Sequence, residues 1–138
     1  LIELSDYLIV NHYELKDLQI RWWLTDEELT EKLDTIIVTY GKQWSQLIQK
    51  DSIIHIDAIL LDEIEDTTGA WDAFRAWILK AYAEKLDWKT ACQLWTLLAS
   101  YCVIAPGSQN HHFSFWIVSE DMKYHFGVDL DLFQKRSY

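Results

Sequence analysis

In Ala70-Trp71-Asp72-Ala73-Phe74-Arg75-Ala76-Trp77 an arginine stands inside what the apolar spacing makes the buried face of a helix. At about 100° per residue, Trp71, Phe74, Ile78, Ala81, Tyr82 and Leu86 share one arc, and Arg75 points into it. Lys80 and Glu84 fall on the opposite side. A guanidinium keeps its charge, so burial without a partner is costly. Asp72, three residues earlier, is the nearest candidate partner. The pattern predicts a mostly buried Asp72–Arg75 pair that fixes helix docking, with Trp71 and Trp77 covering its edges. The same pair is a candidate for orienting a bound anion, because arginine suits carboxylates and phosphates.

The chain has 138 residues, enough for one domain with its own core. Half of them are hydrophobic and eight are tryptophan, which argues against disorder. With four glycines and one proline it lacks the turn residues that sandwiches and barrels need. An all-α fold is therefore expected: a single compact domain of about five or six helices over 1–128, with 129–138 as a loosely held tail.

Successive segments fit that expectation. Leu1, Leu4 and Leu8 sit at helical spacing, so 1–10 reads as a short opening helix. Thr25 and Glu28 form a capping-box signature, Leu24 and Leu29 are placed as a staple, and Asp26, Glu27 and Glu28 load the first turn. Leu29, Leu33, Ile36, Ile37 and Tyr40 then extend the helix to a stop at Gly41. Trp44, Leu47 and Ile48 suggest another short helix. Residues 51–65 read as a helix through Ile53, Ile56, Leu60 and Ile64, although the β-branched run from Ile53 to Ile56 suits a strand equally. After Thr67-Thr68-Gly69 comes the Trp71 helix. Asp87 caps a further one that runs to Ile104 before Pro106-Gly107. In it Lys89, Gln93, Thr96 and Ser100 form the polar stripe, while Ala91, Leu94, Trp95, Leu98, Tyr101 and Cys102 face inward. Residues 113–127 carry both periods and are assigned to a helix ending at Gly127, since a lone strand has no partner.

This order of motifs resembles a family of uncharacterised bacterial helical domains of unknown function. The matching pieces are Trp22-Trp23 before Thr25, Gly41-Lys42, the W-D-x-x-R helix from Trp71 to Arg75, and Ser114-Phe115-Trp116 with Tyr124 and Gly127. They span residues 17 to 128. The resemblance implies an all-helical fold and proximity to bacterial interaction and toxin systems, with no known activity.

The formal charge is −10, with 22 acidic against 12 basic residues, which opposes nucleic acid and anionic membranes. The expected partner is another protein or a second copy of the chain. Cys92 and Cys102 lie about 15 Å apart along one helix, too far for a disulfide, and read as buried thiols of a reducing, cytoplasmic compartment. No run approaches the ~20 apolar residues of a membrane span, and no signal peptide is evident. His55, His111, His112 and His125 lack metal-ligand spacing, so neither metal nor cofactor is expected. Asp57, Asp62, Glu63, Glu65 and Asp66 read as a solvated acidic face. No phosphate-binding or nucleophile motif is present. These observations favour a non-catalytic, acidic, tryptophan-rich interaction domain. One alternative is an inhibitor or immunity protein masking a basic enzyme. Another is a small enzyme built on Asp72 and Arg75 with Tyr82 or Tyr124.

Overall fold

Five consecutive β-branched residues, Thr35-Ile36-Ile37-Val38-Thr39, decide the architecture of the first half. Each loses side-chain freedom against a preceding helical turn, and each packs well on a pleated surface. In a computed structural model, which describes residues 5–41, 43–60, 78, 83, 85–104 and 114–130, they form a strand buried on both faces. The described residues comprise β1 (Tyr7–Asn11), α1 (His12–Trp22), α2 (Asp26–Lys32), β2 (Thr35–Thr39), β3 (Trp44–Gln49), β4 (Ser52–Asp57), α3 (Trp88–Ile104) and α4 (Phe115–Phe126). The all-α expectation is thus overturned: the fold is mixed α/β.

The sheet order is β1-β2-β3-β4, with β1 parallel to β2 and the other two pairs antiparallel. The opening helix expected over 1–10 is replaced by β1 over its described part. The capping box at Thr25 forms as expected, Glu28 N–H donating to Thr25 Oγ1 at 3.2 Å and Thr25 N–H to Glu28 Oε2 at 2.8 Å. That helix ends at Lys32, however, rather than continuing to Tyr40. Gly41 serves the β2–β3 turn at φ +63° instead of stopping a helix. Trp44, Leu47 and Ile48 belong to β3 rather than to a short helix. The isoleucines from Ile53 to Ile56 lie in β4, so the strand alternative is the one realised. β3 and β4 meet through the two-residue turn Lys50-Asp51, with Gln49 opposite Ser52.

The chain divides into two compact units, Leu1–Ala58 and Ile59–Tyr138. In the first, α1 and α2 pack on one face of the sheet, where Leu15, Leu29, Leu33, Ile36, Val38 and Ile48 form the core and Leu8, Val10, Leu24 and Tyr40 border it. Ile37, Leu47 and Ile56 are buried on the other face.

In the second unit Ile78 and Ala83 are helical and Ile78 is fully buried. The rest of the 71–82 stretch, including Trp71, Asp72, Arg75 and Tyr82, lies outside the described residues. The helix from Trp88 forms behind its Asp87 cap, Thr90 N–H donating to Asp87 Oδ1 at 2.9 Å. Of its expected polar stripe Lys89 is exposed, whereas Gln93, Thr96 and Ser100 are all below a tenth exposed. Two of those hydroxyls are satisfied by the helix itself, Thr96 donating to Cys92 O and Ser100 to Leu97 O. Cys92 and Cys102 are free and buried, as read from the sequence. The helix expected before Gly127 forms as α4, with Ser114 as N-cap and Gly127 at φ +67°. Leu97, Leu98, Val118, Met122 and Leu130 make the core of this unit, and the Tyr101 hydroxyl ties α3 to Asp121 of α4.

Candidate functional site at the carboxyl edge of the sheet

Three strands, β1, β2 and β4, run in the same direction, so their carboxyl ends line one edge of the sheet, where β3 begins. In open α/β sheets ligands bind outside the carboxyl ends of the strands. Two rows of side chains stand at that edge, one on each face.

The first row is polar. Asn11 is opposite Thr39, and Thr39 is opposite Ser45. Thr39 and Ser45 are 1% and 2% exposed. The Thr39 hydroxyl reaches Val10 O at 3.4 Å, a long contact. The Ser45 hydroxyl is sealed from solvent and meets no hydrogen-bond partner among the described residues. A buried hydroxyl left unpaired costs about 1–3 kcal/mol, so such a group is a place where a ligand atom or a trapped water is accepted. Asn11 caps α1 directly behind this row. It accepts from Glu14 N–H at 2.8 Å, and its own N–H donates to Glu14 Oε2 at 2.9 Å. The positive end of the α1 dipole therefore faces the same edge.

The second row, one residue on, is aromatic. His12 stacks on Tyr40 at 5.2 Å, Tyr40 on Trp44 at 3.8 Å, and Trp44 on His55 at 4.1 Å. Hydrogen bonds pin the ladder. The Tyr40 hydroxyl donates to Gln46 Oε1 at 3.3 Å, and His55 Nε2 lies 2.9 Å from Asp57 Oδ1. Gly41, with its positive φ, lets β2 turn tightly between Tyr40 and Trp44.

The sequence-based candidates are not among these residues. Trp71, Asp72, Arg75 and Tyr82 lie outside the described residues, so their expected pairing and burial are not observed. So do His111, His112, Asp62, Glu63, Glu65 and Asp66. Trp116 and Tyr124 are both on α4, 71% and 83% exposed. The residues that do converge, Asn11, His12, Thr39, Tyr40, Ser45 and His55, went unrecognised. A signal was present at one of them: Asn11-His12-Tyr13-Glu14 follows an apolar run with capping-box spacing. Burial pushes the Cys92 thiol up to about 12, Asp87 adding to the effect, so it is no nucleophile at neutral pH. No group of three or more metal-ligating side chains occurs among the described residues. None of their helices is long and apolar enough to cross a membrane.

Comparison with known proteins explains the fold. The profile of the pfkB family carbohydrate kinases matches residues 1–113. A nucleoside kinase of Methanocaldococcus jannaschii is 31% identical over 111 residues, 80% of this chain and 37% of that protein. Its crystal structure superposes with a TM-score of 0.81 at 30% identity, over 90% of this chain and 42% of the other. Burkholderia thailandensis nucleoside kinase in complex with inosine gives a TM-score of 0.84 at 26% identity, over 93% of this chain and 43% of the other. The chain thus spans less than half the length of these relatives. The resemblance to uncharacterised helical domains does not hold, because short capped helices and a W-D-x-x-R string are compatible with an unrelated α/β kinase. The readings as a non-catalytic interaction domain, as an inhibitor or immunity protein masking a basic enzyme, and as a small enzyme built on Asp72 and Arg75 with Tyr82 or Tyr124 are overturned by the family match. With the match covering 113 of its 138 residues, the chain belongs to the pfkB family of carbohydrate kinases.

Proposed function

We propose that this chain supplies the carboxyl-edge part of a cytoplasmic kinase that moves a phosphoryl group from ATP to a hydroxyl of a nucleoside. The observation that carries this reading is the likeness, over 93% of the chain, to a nucleoside kinase in complex with inosine. Phosphoryl transfer asks little covalent chemistry of a protein; it needs positioning, charge stabilisation and a group to accept the hydroxyl proton. The buried Asn11–Thr39–Ser45 row and the α1 N-terminus offer fixed hydrogen-bonding groups at one edge. In the sequence Thr67-Thr68-Gly69-Ala70 leads into Trp71-Asp72, and backbone N–H groups beside a glycine suit a phosphate. Asp72, three residues after Gly69 in the sequence, is our choice for the carboxylate that takes the proton from the acceptor hydroxyl. Arg75, three residues further along the sequence, is our choice for orienting that carboxylate or the transferring group.

The test is turnover of ATP with inosine, adenosine or ribose by the polypeptide that carries these residues, read as phosphorylated product. A nucleoside should be the best acceptor, and Asp72→Asn should lower kcat by about a hundredfold or more with the fold intact. Absence of product with every sugar and nucleoside would overturn the reading.

A further inference from the structure

The corner between α1 and α2 carries two indole rings that the core does not use. Trp23 ends α1 in the left-handed region, at φ +52°, a conformation that suits glycine and that a bulky residue rarely adopts. Core packing does not hold it there, since Trp23 is 90% exposed; Trp22 beside it is 68% exposed and Ile20 65%. The bend itself is firmly made. Trp23 N–H and Leu24 N–H both donate to Gln19 O, and the Gln19 side chain donates to Asp26 Oδ1 at 2.7 Å, tying the end of α1 to the start of α2. Leu24 then packs on the core. A fixed corner thus presents large apolar side chains to water, and a patch already ordered loses little freedom when it is covered.

Charge around the patch says what covers it. Arg21 stands on the α1 side of the indoles and Glu27 on the α2 side, both exposed. The ion pair of Arg21 with Asp17, at 2.9 Å, is itself exposed, so it is weak and readily exchanged. A uniformly basic or acidic partner complements only one half of such a patch. A second copy, turned by a two-fold axis through the tryptophans, brings Arg21 of each copy opposite Glu27 of the other. The area is of the right order as well. At about 200 Å² for a large aromatic side chain, the two tryptophans and Ile20 offer roughly half of the ~800 Å² that each partner gives to a standard interface.

We propose that the α1–α2 corner is a self-association surface: Ile20, Trp22 and Trp23 of two copies of this chain pack across a two-fold axis, and Arg21 of each copy meets Glu27 of the other. Buried tryptophans at the centre of a contact supply most of its binding energy, and the charged pairs at its rim set the orientation. The 11 residues of α1 run from the carboxyl edge of the sheet to this corner, about 16 Å away, so the contact leaves that edge open. It is independent of the kinase reading.

The test is sedimentation equilibrium of the 138-residue chain over a wide concentration range, which should show a monomer–dimer equilibrium. Trp23→Gly should weaken dimerisation about thirtyfold or more. At a concentration where the parent is monomeric, the same change should leave the unfolding temperature at or above the parent's, because glycine suits the positive φ. Arg21→Glu and Glu27→Arg should each weaken the dimer about tenfold alone, and an equal mixture of the two variants should regain it, each charge then facing its opposite. A parent chain that stays monomeric at every concentration overturns the proposal, as does a dimer that Trp23→Gly leaves unchanged. A lower unfolding temperature for Trp23→Gly overturns it too, since the ring would then serve the fold. A mixture that fails to regain the dimer overturns the pairing of Arg21 with Glu27.

Discussion

Ser45 is the residue at which stability and function pull apart. Its hydroxyl is buried at the carboxyl edge without a partner, an arrangement that costs the ligand-free protein free energy. Replacement by alanine removes the unpaired group and almost no volume. Ser45→Ala is therefore expected to raise the stability of the ligand-free chain by about 1 kcal/mol, measured by urea unfolding. If the hydroxyl serves a nucleotide, the same change should weaken ADP binding. A variant that loses stability would mean that a trapped water satisfies the hydroxyl. Neither Ser45 nor its neighbour Thr39 carries a sequence signal of this kind. Each is an ordinary strand residue until pairing places both beside Asn11.

At the scale of elements, several self-contained local signals were legible, although the capping box at Asn11 was not recognised. The box at Thr25, the cap at Asp87 and the helix end at Gly127 all form as the sequence indicates. Asp87 carries the most testable of them. Burial raises its pKa, but the hydrogen bonds from Thr90 and from the backbone of Asp87 and Lys89 outweigh that, so the net shift is downward. A carboxylate with a lowered folded pKa adds stability above its unfolded value near 4, and loses it as pH falls through the folded value. Asp87→Ala should thus cost about 1 kcal/mol at pH 7, and the gap between variant and parent should close in acid. A gap that stays constant down to pH 2 would contradict the capping role.

The strands were illegible for a different reason. β2 is buried on both faces, so it shows no alternation, and its isoleucines also satisfy helical spacing from Leu29. β1 is short and pairs only with a strand more than twenty residues away, a contact that no local pattern announces. In α3 the polar stripe misleads because Thr96 and Ser100 bond to their own helix and can then be buried.

For the whole molecule, composition argued for helices and the comparisons argue for a kinase. Scarce glycine and proline exclude a turn-rich β fold, yet they are compatible with a sheet whose strands are joined by two helices, the turn at Gly41 and the two-residue turn Lys50-Asp51. The candidate site was equally hidden, since only sheet register brings Asn11, Thr39 and Ser45 together on one face and Trp44 and His55 together on the other. The residues that sequence did single out, Asp72 and Arg75, lie outside the described residues. The central claim is that ligand chemistry sits at the carboxyl edge of this sheet. Backbone amide NMR shifts, followed while ADP is added to the 138-residue chain, test it most directly. Within the first unit the account predicts the largest changes at Asn11, Thr39, Gly41 and Ser45, with the Lys50-Asp51 turn at the opposite end unmoved; changes centred on that turn, or none in the first unit at saturating ADP, would contradict it.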